Sequence, residues 1–246
     1  MMRAVKLVIE YDGTNYLGWQ VQPRGVTVQG VIEEKLSLLT GEAIRLIGAG
    51  RTDSGTHAYG QVAHFKTGSL MEANSIRKAL NSLLPADIVI RRGEDVSTAF
   101  HARKDARSKV YEYRILNRES RPALFRGYAW HVSQSLDLEE MKKSSQYLIG
   151  EHDFSCFRSV GTPTRTAVRR VEGIGWKKNK EGLIQFEIEA SGFLKQMVRA
   201  IVGTLVEVGK RRIRSEEFLA ILESRDRKRA GPTAPAHGLF LKEVKY

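Results

Sequence analysis

Residues 48–65, GAGRTDSGTHAYGQVAHF, constrain the fold more than any other stretch of this chain. They follow an apolar run at 43–47 that reads as a strand and lead into a second strand-like run at 60–65. The connection holds Gly48, Gly50 and Gly55, a single carboxylate at Asp53, a cation at Arg51 and an imidazole at His57. Glycine lets such a connection take backbone conformations closed to other residues, while the flanking strands hold it still. A polar hairpin whose Asp caps a backbone amide is the commoner use of this pattern. Two phosphate-binding patterns fail at single positions. A P-loop needs Lys where Thr56 follows the Gly50 to Gly55 spacing, and a dinucleotide fingerprint needs Gly where Asp53 stands.

Around this loop the periodicity predicts a repeated order of elements. Val5, Leu7, Ile9 and Tyr11 alternate as a strand. Val28, Val31, Ile32, Leu36 and Leu39 keep helical spacing behind a possible N-cap at Thr27. After the two strands that flank Asp53, a helix opens at Ser75 with Ile76, Ala79, Leu80, Leu83 and Leu84 on one face and stops at Pro85, and a strand covers 88–92. Strand, helix, strand, strand, helix, strand is the ferredoxin-like order. It begins again with a strand at 109–116, on which Tyr111, Tyr113 and Ile115 share a face. A helix at 138–149 follows, opened by Asp137 with Glu140 three residues on as a capping box. Then come strands at 168–177 and 183–189, a long apolar helix at 193–208, a short one at 216–222 and a last strand at 239–244. The expected class is therefore α+β, as two fused ferredoxin-like (RRM-like) halves, with domains 1–105 and 106–246.

Forty Lys and Arg against 28 Asp and Glu leave a formal net charge of +12, which favours a polyanionic partner, with nucleic acid ahead of an anionic membrane. Basic clusters stand at Arg165, Arg169 and Arg170; at Lys177, Lys178 and Lys180; at Lys210, Arg211, Arg212 and Arg214; and at Arg225, Arg227, Lys228 and Arg229. Singly each reads as a solvated face; four in one half point to a groove that tracks a phosphate backbone. Arg199, set in the apolar 193–208 run, either snorkels to the surface or meets a carboxylate or phosphate. The lone Cys156 excludes an internal disulfide and a multi-cysteine zinc site, fits a reducing cytoplasm and reads as a small buried hydrophobe. The N-terminal apolar run is too short for a signal peptide, and no run of about 18 apolar residues occurs.

GRTDSGTHA at 50–58, with GQVAHF after it, EYDGTNYLGWQ at 10–20, FHAR at 100–103, KVYEY at 109–113, GFLKQMVRAIVGTLVEVG at 192–209 and HGLFL at 237–241, resembles the tRNA pseudouridine synthase A family along nearly the whole chain. Thr56 departs from the valine expected there, with a similar shape. The resemblance implies two halves with a basic cleft between them and a catalytic role for Asp53. It puts Arg199 close to that carboxylate and makes Tyr111 the platform on which a flipped base stacks. Arg51 is assigned to a phosphate or to the space left by the flipped nucleotide, and Leu239 to an apolar wall. The implied reaction is isomerisation of uridine to pseudouridine at tRNA positions 38, 39 and 40, without cofactor or metal, by a cytoplasmic homodimer with no membrane partner. Two other readings stand beside it. A non-catalytic RNA-binding module would account for the charge and the tyrosines but not for a carboxylate among cations. An Asp-dependent hydrolase of a phosphorylated small molecule lacks residues spaced to bind the metal such enzymes commonly use.

Overall fold

In β1 (Arg3–Tyr11) the side chains of Val5, Leu7, Ile9 and Tyr11 are all buried, as a strand with one face on a core requires. The computed structural model describes residues 2–159, 161 and 165–246. Those residues form a mixed α+β structure that divides into two compact units, one running to Arg107 and including Phe240–Tyr246, the other Ser108–Leu239.

In the first unit β1 is followed by α1 (Val28–Thr40), β2 (Ile47–Gly48), β3 (His57–Thr67), α2 (Ala73–Leu83) and β4 (Ile88–Val96). β1 lies between β3 and β4 and is antiparallel to both, with Leu7 opposite Ala63 and Gly93. β2 continues the order on the far edge of β3, so the strands run β4-β1-β3-β2 in alternating directions, the ferredoxin-like arrangement. α1 is capped as its sequence predicts: the Thr27 side chain accepts from the Gly30 amide at 3.3 Å, and Gly41 ends it at φ 70°. α2 begins at Ala73, two residues before Ser75.

The strand expected at 43–47 shrinks to Ile47–Gly48. α1 supplies the reason, because its side chains take the backbone bonds a ladder would have used. Ser37 Oγ accepts from the Ile44 amide (3.1 Å), Glu33 Oε1 accepts from the Leu46 amide (2.7 Å), and Gln29 Nε2 donates to the Leu46 carbonyl (3.1 Å). The edge of β3 left open near its start takes the last strand of the chain, Leu239–Lys245. Phe240 and Leu241 pair in parallel with His57 and Ala58, which places Phe240–Tyr246 in the first unit. Gly60 permits the approach, since a Cβ there would sit 2.6 Å from the Lys242 carbonyl oxygen.

The second unit holds β5 (Ser108–Asn117), β6 (Trp130–Val132), α3 (Leu138–Gln146), β7 (Gly150–Asp153), β8 (Val168–Lys178), β9 (Leu183–Ala190), α4 (Met197–Gly209) and α5 (Ser215–Ser224), and its chain leads into β10 (Leu239–Lys245). The strands run β5-β9-β8-β7, all antiparallel, with β6 parallel to β5. The succession β5, α3, β8, β9, α4 and the order β5-β9-β8 repeat what β1, α1, β2, β3, α2 and the order β1-β3-β2 do in the first unit. Asp137 caps α3 by accepting from the Glu140 amide at 3.2 Å, while its own amide donates to the Gly209 carbonyl (2.8 Å). α4 starts four residues later than the apolar run suggests, because Gln196 adopts φ 62° and a left-handed residue cannot continue a right-handed helix. Met197, Ile201, Leu205 and Val208 are buried as the periodicity requires, and Phe193 lies before the helix.

Candidate active site

The loop from Gly48 to His57 is fixed to the first unit at nearly every second residue. The Ala49 amide donates to the Val62 carbonyl (2.7 Å), and Gln61 Nε2 donates to the Gly50 carbonyl (2.9 Å). Thr52 Oγ1 lies 2.7 Å from the Tyr11 hydroxyl, and the Thr52 carbonyl accepts from the Trp19 amide at 3.2 Å. A turn closes behind Asp53, whose carbonyl accepts from the Thr56 amide at 3.1 Å, with Gly55 at φ 75°. Within this frame Arg51 is exposed, Thr52 buried and Asp53 half-buried. Arg51 has no side-chain partner among the described residues.

Residues 11–19 brace the loop from the side, which explains the glycines of EYDGTNYLGWQ. A Cβ on Gly13 would meet the Thr56 carbonyl oxygen at 2.0 Å, and one on Gly18, itself at φ 88°, would meet that of Thr52 at 2.4 Å. Backbone can approach backbone this closely only without side chains. The Tyr16 carbonyl accepts from the Gly55 amide (3.3 Å) and Ser54 Oγ (3.1 Å), and the Tyr16 hydroxyl donates to Asp87 Oδ1 at 2.6 Å. Burial, then the Asp87 carboxylate, pushes the Tyr16 phenol above its ordinary pKa and keeps it a donor. His57 Nδ1 lies 3.1 Å from the Gly13 amide nitrogen and 3.0 Å from Asp12 Oδ1, and its ring stacks on Phe240 with centroids 4.7 Å apart. Thr56 is buried, and its hydroxyl has no hydrogen-bond partner among the described residues.

Tyr111, Arg199 and Leu239 belong to the second unit, whereas Arg51 and Asp53 share one loop of the first. The two tyrosines of β5 differ in surroundings. Tyr113 is fully buried, donates to the Pro235 carbonyl at 2.8 Å and meets Trp130 edge-on. Tyr111 packs edge-to-face on Phe193, centroids 4.9 Å apart, a contact available because Phe193 precedes α4. Arg199, on the first turn of α4, is half-buried; its Nε donates to the Ala234 carbonyl (2.7 Å), and its own carbonyl accepts from the Ala234 amide (3.0 Å). The 231–234 segment comes this close because Gly203 has no side chain: a Cβ there would lie 1.7 Å from the Pro232 carbonyl oxygen. Burial, with the Arg199 charge nearby, holds His237 below its usual pKa. Leu239 is buried at the start of β10.

The fold pairs every charge of one basic cluster and some of the charges of two others. Lys210 and Arg212 pair with Glu207 (2.9 and 3.1 Å), Arg211 with Asp137 (3.0 Å) and Arg214 with Glu217 (2.9 Å). Arg225 faces Asp153 at 3.6 Å, and Arg227 donates to the carbonyls of Ala230 and Gly231. Arg170 faces Glu172 at 3.4 Å, and Arg169 donates to the Thr166 carbonyl. Lys177, Lys178 and Lys180, where β8 turns into β9, are exposed and have no partner among the described residues. Cys156 is buried, and burial pushes its thiol up to about 12, which suits a packing residue and not a nucleophile. Among the described residues, no group of three or more His, Cys, Asp or Glu able to hold a metal ion occurs, and no helix is long and apolar enough to cross a membrane.

Sequence periodicity did not reveal the loop contacts of the groups under and beside it: Tyr11, Gln61, Asp12, Tyr16 and Asp87. Tyr11 was read only as a strand residue and Gln61 only as part of GQVAHF; the glycines of EYDGTNYLGWQ become legible once Gly13 and Gly18 are seen to touch the loop.

Fold and loop together define a mixed α+β protein that presents one carboxylate and one cation from a rigid glycine turn. The family described as tRNA pseudouridine synthase matches residues 7–104 and 145–246. The tRNA pseudouridine synthase A of Acetivibrio thermocellus is 51% identical, and those of Thermoanaerobacter pseudethanolicus and Geotalea uraniireducens 50% and 46%, each over 245 residues and 100% of both chains. A solved Cbf5-Nop10-Gar1 complex covers 82% of this chain and 45% of that one at 14% identity; its TM-score of 0.36 supports no argument about fold. This chain belongs to the tRNA pseudouridine synthase family, and so is an isomerase acting on tRNA.

Proposed function

We propose that this enzyme converts uridine to pseudouridine at positions 38, 39 and 40 of the tRNA anticodon arm, with Asp53 as its catalytic residue. The bond from N1 of the base to C1′ of the ribose breaks, the base turns, and C5 bonds to C1′ while its proton leaves and N1 gains one. No electrons enter or leave. The step needs a carboxylate, as nucleophile at C1′ or C6 or as base at C2′. The observation that carries the reading is the single carboxylate of the loop, Asp53, half-buried two residues from Arg51, which is exposed and has no side-chain partner among the described residues, in a loop whose other residues are tied to the first unit.

A base inside a helix must leave its stack first, at a cost of a few kcal/mol, and stacking on an aromatic ring returns about 1 to 3 kcal/mol. Tyr111 is assigned that ring. Arg199 is assigned the charge partner of Asp53, Leu239 an apolar wall, and Arg51 a phosphate or the space of the flipped nucleotide. The same reading makes the enzyme a cytoplasmic homodimer. Mapping pseudouridine in unmodified tRNA after incubation with the enzyme tests the assignment. Modification confined to 38, 39 and 40 is expected; modification elsewhere with those uridines untouched would reject the site preference.

A further inference from the structure

We infer that Tyr11, Thr52 and Gln61 form a buried positioning device that fixes the backbone carrying Arg51 and Asp53, an inference that rests on Asp53 being the catalytic carboxylate. The three side chains are 3%, 9% and 0% exposed. The Tyr11 hydroxyl lies 2.7 Å from Thr52 Oγ1; burial pushes its phenol up, outweighing the Thr52 and neighbouring Gln61 side chains, which favour the ionised form. Gln61 Nε2 reaches up to the Gly50 carbonyl at 2.9 Å, while its Oε1 accepts from the Val62 amide at 3.2 Å. The network therefore holds Gly50 and Thr52 and skips Arg51 and Asp53.

The placing of these ties is the argument. One falls on each neighbour of Arg51, and the second of them, Thr52, is also the residue before Asp53, so the backbone that carries both groups is fixed from beneath. The burial follows suit, with Arg51 exposed, Thr52 buried and Asp53 half-buried. Tyr11 ends β1 and Gln61 lies within β3, so the device stands on paired strands instead of on the loop it controls. Reactive groups gain their rate from such support, and a displacement of about 1 Å costs about a hundredfold. Losing the Tyr11 hydroxyl would strand a buried Thr52 hydroxyl and free the residue next to Asp53.

The test measures kcat and KM on tRNA for Tyr11→Phe, Thr52→Val, Thr52→Ser and the double variant Tyr11→Phe/Thr52→Val, below each melting temperature and per folded molecule, with Asp53→Asn alongside. Tyr11→Phe and Thr52→Val should each lower kcat about ten- to a hundredfold with KM within about twofold. Thr52→Ser, which keeps the hydroxyl, should restore kcat, and the double variant should be no slower than the slower single. A purely structural role would move the melting temperature and leave kcat alone. Parental kcat in Tyr11→Phe beside an inactive Asp53→Asn overturns the positioning role and leaves the catalytic reading standing. An active Asp53→Asn overturns the catalytic reading, and the inference with it. Should Tyr11→Phe fail to fold, Thr52→Val against Thr52→Ser decides, and equal kcat in those two overturns the inference.

Discussion

At Thr56 the chain buries a hydroxyl that has no hydrogen-bond partner among the described residues, in a position where the family resemblance predicts valine. A stranded polar group costs about 1 to 3 kcal/mol, so the near-isosteric Thr56→Val should stabilise the protein by about 1 kcal/mol, raising Tm by about 2 to 4 °C. A lower Tm would mean that the hydroxyl is used. Tyr111 and Tyr113 make the complementary case. Tyr113→Phe removes the donor to the Pro235 carbonyl and should cost about 1 kcal/mol of stability, with turnover per folded molecule unchanged. Tyr111→Leu removes the ring that the proposed mechanism stacks on uracil, and should lower turnover of bound tRNA at least about tenfold. Parental turnover in folded Tyr111→Leu would remove that ring from the reaction. Periodicity could not separate these tyrosines, since residues two apart share a face. Only the partners do so, Pro235 and Trp130 for one and Phe193 for the other.

Among the elements, those whose backbone follows the hydrophobic pattern were legible, and those where side chains or odd dihedrals intervene were not. β1 and α1 read directly from alternation and from the Thr27 cap. β2 did not, because Glu33, Gln29 and Ser37 of α1 satisfy the backbone of the apolar run before it. The start of α4 was hidden by the left-handed Gln196, and β6 and β7 are too short to carry a period. Charge runs mislead in the same way. The cluster at 210–214 reads as a phosphate track, yet its four cations face Glu207, Asp137 and Glu217. The β8–β9 turn, where Lys177, Lys178 and Lys180 are exposed with no side-chain partner among the described residues, is the better candidate. Replacing all three with Gln should shallow the salt dependence of tRNA binding by about 0.7 to 0.9 in log K per decade of salt for each phosphate no longer neutralised, measured as Kd between about 50 and 200 mM salt. A slope equal to the parent's would take these lysines off the RNA.

At the scale of the molecule, the candidate site draws on residues far apart in sequence. The Asp53 loop leans on residues 11–19, on Gln61, and through His57 on Phe240, near the other end of the chain. The loop itself was visible as a glycine-rich turn with one carboxylate, and Arg199 as a cation in an apolar run. The roles proposed for the two rest on family resemblance, because no local pattern links residues so far apart along the chain. The net charge of +12 fits a polyanionic substrate but leaves open whether the bound RNA is altered. Release of tritium from tRNA labelled at C5 of uridine decides that, since it accompanies C5–C1′ bond formation and no binding event produces it. The parent should release tritium, whereas Asp53→Asn, which keeps size and loses the charge, should release none while binding tRNA at least as tightly. Equal release by the two proteins would contradict the central claim that Asp53 performs the isomerisation.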